Sequence, residues 1–145
     1  MTYSQTGKYE EALKDYGKCI AIMESLHEAG RLYDENDLAT AYMNRGNTYA
    51  QTGNHNDALR DYGECIRIME DLQAKGRLYD WQYYLGSAWF NKGMLLATGL
   101  NDTDGALEIW NHAISALETE EKLSYNANNI LEKLRFQRDR LTGKE

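Results

Sequence analysis

The sequence predicts an all-α fold of stacked antiparallel helix pairs, and three observations carry that expectation. The 145 residues contain no proline, so the residue most damaging to a helix interior is absent, while Ala, Leu, Glu, Lys and Arg are plentiful. The stretch from Thr2 to Asp34 recurs as Thr48 to Asp80 with roughly 21 of 33 positions identical, at a shift of about 46. Within the repeat, apolar residues return at helical spacing and glycines close the periodic runs.

A first helix is expected at about 8–29, where Tyr9, Leu13, Tyr16 and Ile20 form an apolar stripe that ends at Gly30. A second, at about 36–52, is entered through the side-chain acceptors of Asp34 and Asn36 and ends at Gly53. The third, at about 55–75, comes after Asn54 and Asn56, ends at Gly76 and copies the first. Ala12/Ala58, Leu13/Leu59, Tyr16/Tyr62, Cys19/Cys65, Ile20/Ile66 and Met23/Met69 recur while polar positions vary, which marks a core-facing stripe. Gly7 is expected to close a truncated opening helix in the way Gly53 closes the second.

A fourth helix, about 81–98, starts after Asp80 and ends at Gly99; a fifth, about 103–118, starts after Asp102. Here Trp89, Gly93, Ala106, Trp110 and Ala113 answer Tyr42, Gly46, Ala58, Tyr62 and Cys65. The shift grows from about 47 to about 48 between the two helices, which places one extra residue in a lengthened Gly99-Leu100-Asn101-Asp102 turn. The last helix, about 120–141, departs from the repeat: Leu123, Ala127, Ile130 and Leu134 keep helical spacing amid mixed charge. It reads as a solvating cap whose outer face is either simply solvated or a basic binding stripe. Short connections make successive helices antiparallel neighbours. The expected organisation is one domain, 1–145, made of a partial repeat 1–34, repeats 35–80 and 81–118, and a capping helix 119–141.

Composition narrows the function. With 42% hydrophobic and 27% charged residues the chain is ordinary for a folded protein rather than a disordered one. A net charge of −7 offers no basic field for phosphate, so neither nucleic acid nor an acidic membrane is an expected partner. No run approaches the roughly 18 apolar residues of a spanning helix, and Met1-Thr2-Tyr3-Ser4 lacks the basic and apolar regions of a signal peptide, which implies a cytoplasmic setting.

Site chemistry is sparse. Cys19 and Cys65 have no CxxC partner and are expected as buried, reduced thiols. His27, His55 and His112 fall in unrelated places, so no metal site is expected, and His55, standing where the first copy has Tyr9, suits packing or a turn. Glu10/Glu11, Asp34/Glu35/Asp37 and Asp102/Asp104 sit at helix starts, where they complement the helix dipole. With no phosphate loop, nucleophile elbow or dinucleotide fingerprint, the expectation is a protein that is not an enzyme and uses no cofactor.

From Thr40 to Ile68 the sequence TAYMNRGNTYAQTGNHNDALRDYGECIRI resembles the tetratricopeptide repeat, with Tyr42, Gly46, Tyr49, Gly53, Ala58, Tyr62 and Cys65 at the family's spacing. The resemblance implies a right-handed α-solenoid in which small Gly46 and Ala58 let paired helices approach and Tyr42 and Tyr62 fill the space between pairs. The repeat departs from the family in its length, about 46 residues against about 34, in lacking a closing proline, and in carrying Arg45 where leucine is usual, with Lys92 matching it in the third copy. Long repeats with Tyr-Met-Asn-Arg-Gly are similar to those of large bacterial multi-repeat proteins.

In the family the first helix of each pair lines a concave groove. That resemblance assigns a peptide-binding role to Thr40, Met43, Asn44, Asn47, Ala50 and Gln51, and to Ser87, Phe90, Asn91, Met94 and Ala97. Asn and Gln amides suit a peptide backbone, whereas Met43, Phe90 and Met94 either floor the groove or pack against a neighbouring helix. Capture of a C-terminal carboxylate, known in some relatives, is not implied, since Met43 and Phe90 stand where a lysine is needed. The expected partner is therefore a protein or peptide segment. Matching Tyr3 to Tyr49 places Met1 against Asn47, so the first copy lacks the counterpart of Asn36 through Gly46. The expectation is either a piece of a longer array or regulatory protein, or an open N-terminal repeat that pairs with another copy as a homo-oligomer.

Overall fold

The structure, a computed structural model, describes residues 3–143. It contains α1 (Tyr3–Glu28), α2 (Glu35–Gln51), α3 (His55–Ala74), α4 (Trp81–Met94, continued by a π-helical turn Leu95–Gly99), α5 (Thr103–Glu118) and α6 (Tyr125–Thr142). Among the described residues there is no strand, and no helix is long and apolar enough to cross a membrane. The chain divides into two compact units, 1–72 and 73–145.

In the first unit, Asp34 caps α2 by accepting from the Asn36 amide at 2.9 Å, and Glu35 and Asp37 add negative charge to the first turn. The helix ends on Gly53, whose φ of +82° is open to glycine at little strain. There Gly53 N donates to Ala50 O and Asn54 N to Tyr49 O, a double closure that turns the chain into α3 within three residues. Leu38, Ala39, Ala41 and Tyr42 of α2 and Ala58, Tyr62, Cys65, Ile66, Ile68, Met69 and Leu72 of α3 are buried. Cys65 is buried as expected, its pKa pushed up to about 12 by that burial. Cys19 is only half-buried, against expectation.

Gly7 does not close a helix: α1 runs through it, and its φ is not positive. The next three residues account for the difference. Lys8, Tyr9 and Glu10 replace Asn54, His55 and Asn56, so a helix-forming lysine stands where the second copy has a residue suited to turns.

In the second unit, Asp102 caps α5 through the Gly105 amide at 2.9 Å. The extra residue of the third copy is placed differently from the expectation. It enters the helix as the π turn 95–99, where Leu100 N reaches back five residues to Leu95 O and Asp102 N reaches back six to Leu96 O. The left-handed residue that answers Gly53 is then Asn101, at φ +53°, rather than Gly99.

The last helix begins at Tyr125 rather than 120, so 119–124 is a connection. Ser124 sets the start, its hydroxyl oxygen accepting from the Ala127 amide at 3.0 Å. The same hydroxyl donates to the Asp80 carboxylate at 2.9 Å. That contact explains why Asp80, at φ +48°, makes no side-chain cap for α4. α6 buries Ala127, Ile130, Leu131 and Leu134, and a Cβ on Gly86 of α4 would lie 2.8 Å from Ile130 Cγ2, so α6 presses closely on α4.

Candidate protein-binding surface

The α2 residues expected to line a groove share one helix face, and their exposure is graded. Thr40, Asn44 and Gln51 are exposed, and Met43, Asn47 and Ala50 are half-buried. Asn47 is held in place: its Oδ1 accepts from the Tyr62 hydroxyl of α3 at 2.5 Å, which leaves its Nδ2 as the donor end. Burial, then the charge of Asp61, pushes the Tyr62 phenol up to about 12, so it remains a donor at neutral pH.

Tyr62 reaches Asn47 because it lies over Gly46. A Cβ there would come within 2.8 Å of Tyr62 Cε1 and 3.3 Å of Asp61 Cβ. Arg45, beside that glycine, forms a two-pronged ion pair with Asp61, Nε to Oδ2 at 2.7 Å and Nη2 to Oδ1 at 2.8 Å. Its guanidinium also lies over the Tyr42 and Tyr49 rings. The hydrogen bond to Asp61 raises the arginine's pKa against the opposing effect of desolvation. Asp61 is only 2% exposed, so this pair holds α2 to α3 and its charge is spent internally.

In the second unit, Ser87, Phe90, Asn91 and Met94 lie along α4 and Ala97 falls in the π turn, all half-buried. Phe90 stacks on Trp110 of α5, with ring centroids 6.4 Å apart, and its carbonyl accepts from the indole N–H at 3.3 Å. Its ring also borders an open cleft between α4 and α6, lined by Asn129, Glu132, Lys133, Phe136 and Gln137. Phe136 is 59% exposed, one of few large apolar side chains left in solvent.

The tetratricopeptide-repeat family model matches residues 1–71, the part that contains the Gly46–Tyr62 contact and the fully buried Ala58. Over that span the chain belongs to the tetratricopeptide-repeat family. Comparison with curated proteins and with solved structures returns no match. Tetratricopeptide repeats generally mediate protein–protein interactions.

This tetratricopeptide chain uses its histidines for packing and helix ends. His112 sets its ring edge against Trp89 at 5.1 Å, His55 opens α3, and His27 sits in the last turn of α1. Among the described residues no group of three His, Cys, Asp or Glu side chains converges as a metal site would require.

The α6 wall of the cleft is absent from the sequence-based expectation. A signal existed: Asn129, Glu132, Lys133 and Phe136 recur at the spacing of one helix face, opposite the buried Ile130 and Leu134. The surrounding charges masked it, because a single phenylalanine barely alters the average polarity of that face.

Proposed function

We propose that this chain is a non-catalytic scaffold that holds protein segments, on the α2 face of its first unit and on the α4 face of its second. Thr40, Met43, Asn44, Asn47, Ala50 and Gln51 would serve on α2, and Ser87, Phe90, Asn91, Met94 and Ala97 on α4. The observation that carries the reading is the open cleft lined by Phe90 and exposed Phe136 together with Asn129 and Gln137. Aromatic surface beside amide side chains suits a segment that offers an apolar anchor and a backbone to hydrogen-bond. Its membership of an interaction-module family supports the same reading.

The test is selection from a displayed peptide library on the intact chain, followed by affinity measurement on point variants. Phe136→Ser alters a side chain that is already solvent-exposed and should spare the helicity while weakening the selected peptides by about tenfold or more. Phe90→Ser should weaken the same peptides, and Met43→Ser should weaken those selected on the α2 face. Selected peptides whose affinity is unmoved by all three substitutions would reject the surface.

A further inference from the structure

The connections that enter α2 and α4 are the same five residues, Gly30-Arg31-Leu32-Tyr33-Asp34 and Gly76-Arg77-Leu78-Tyr79-Asp80. Their aspartates nonetheless adopt different backbones. Asp34 is extended, at φ −138° and ψ 110°, and its carboxylate accepts from the Asn36 amide of its own helix at 2.9 Å. Asp80 is left-handed, at φ +48° and ψ 50°, a conformation unfavourable for a residue with a Cβ, and it gives α4 no side-chain cap. Its two carboxylate oxygens instead face the Ser124 hydroxyl as acceptors, at 3.1 and 2.9 Å. The identical approach shows that the extended, capping form is open to this sequence, and the contact with Ser124 is what Asp80 holds in its place.

Ser124 is also the cap of α6, where its oxygen accepts from the Ala127 amide while its proton goes to Asp80. One hydroxyl thereby ties the start of α6 to the start of α4, and these two helices are the walls of the cleft that Phe90 and Phe136 line. We infer that Asp80 is a two-position latch. Held by Ser124, it leaves α4 without a side-chain cap and joins α6 to it; released, it turns to the extended form of Asp34 and caps α4 through the Gln82 amide. The bond broken and the bond formed use the same carboxylate, and each backbone form serves only one of them. A protein segment that spreads the cleft breaks the tie, and the cap that α4 recovers offsets part of the cost of opening. The link to the cleft rests on the binding surface proposed above; the exchange of Asp80 between two partners does not.

The test is Ser124→Asp in the whole chain. An aspartate keeps the cap of α6 but has no proton to donate, and it sets a second negative charge against Asp80. Amide hydrogen exchange should slow at Gln82 by about fivefold and stay unchanged at Ala127. Asp80→Gly in the same chain removes the capping carboxylate and should abolish the slowing. Ser124→Thr, which keeps the hydroxyl, should exchange like the parent. Gln82 exchange that is unmoved by Ser124→Asp, or slowed equally without the Asp80 carboxylate, would overturn the latch. For the cleft, the probes are peptides selected from the displayed library that lose affinity with Phe136→Ser. They should bind the Ser124→Asp chain about threefold tighter, because release has already occurred. Unchanged or weaker affinity, with Gln82 slowed, would overturn the coupling alone. Peptides indifferent to Phe136→Ser would instead reject the binding surface, and the exchange at Gln82 would still decide the latch.

Discussion

In the α2–α3 hairpin Tyr62 lies over Gly46 and donates to the Asn47 side chain; in the α4–α5 hairpin Trp110 lies over Gly93 and donates to the carbonyl of Phe90. The first hairpin adds the Arg45–Asp61 pair, whereas the corresponding positions of the second are Lys92 and Ile109. Ala58 and Ala106, both fully buried, mark the same close approach in each. The shared requirement is thus a glycine beneath an aromatic ring beside a buried alanine. The chemistry that closes the hairpin is exchangeable: a hydrogen-bonded ion pair in one, a larger aromatic surface in the other.

Breaking the ion pair should have the largest effect. Arg45→Ala leaves Asp61 buried without its counter-charge, which should destabilise the chain by about 3–5 kcal/mol in chemical denaturation. Replacing both partners with apolar side chains, Arg45→Met and Asp61→Ile together, removes both charges and should recover most of that loss. A single-variant loss below about 1 kcal/mol would show that water reaches Asp61 once the arginine is gone.

Alkaline pH should separate the two hairpins next. Tyr62 and Cys65 both have folded pKa values raised to about 12, from ordinary values of 10.0 and 9.0. Raised values mean that folding favours the protonated forms. The stability they contribute is whole below about pH 9 and falls away as pH climbs toward about 12, on the order of 2–4 kcal/mol per group. The matching residues of the second hairpin, Trp110 and Ala113, carry no such proton. All three tryptophans, Trp81, Trp89 and Trp110, lie in the second unit, so their emission reports it alone. Far-UV circular dichroism should lose helical signal at lower pH than tryptophan emission shifts. Tyr62→Phe with Cys65→Ala should raise the alkaline midpoint; the same midpoint in the double variant would assign the transition to other groups.

The glycines sharpen the comparison on a smaller scale. A Cβ on Gly93 would overlap the Trp110 indole, which is fully buried, whereas a Cβ on Gly46 meets the side of the Tyr62 ring at 2.8 Å. Gly93→Ala should therefore cost about 2–3 kcal/mol and Gly46→Ala about 1–2 kcal/mol, within the usual range for overpacking. Equal losses would mean that Trp110 can shift as easily as Tyr62.

The spans of α3 and α5 were legible in the sequence because each carries a strong apolar period between clear capping and turn residues, and Gly30, Gly53 and Gly76 take the left-handed conformation their positions implied. The π turn was not, since Leu-Leu-Ala-Thr-Gly has no composition that distinguishes a five-residue closure from a four-residue one. The late start of α6 was hidden because Glu120, Glu121 and Lys122 are good helix formers by themselves, while the cap is decided by Ser124 and its contact with Asp80, far away in sequence. Arg45 stood out as a departure from its family, but its purpose became visible only with Asp61 across the helix pair. The α2 and α4 faces could be nominated from the repeat; Phe136 needed the packing of α6 on α4 to give it a neighbour.

The smallest effect should be a gain. Gly63 lies in the interior of α3, one residue after Tyr62, and a Cβ there meets nothing within 4 Å. Its φ is not positive, so alanine fits the existing backbone without strain. The third copy already places Asn111 at this position and keeps its helix. Gly63→Ala should then stabilise the chain by about 0.5–1 kcal/mol, by narrowing the conformations of the unfolded state and improving helix propensity. Because this position meets neither Gly46 nor Asp61, the gain should add to the Arg45→Ala loss rather than depend on it. A Gly63→Ala variant that melts earlier instead would show that α3 needs this bare position for a contact, and the two hairpins would then differ on that helix face as well as in their closing chemistry.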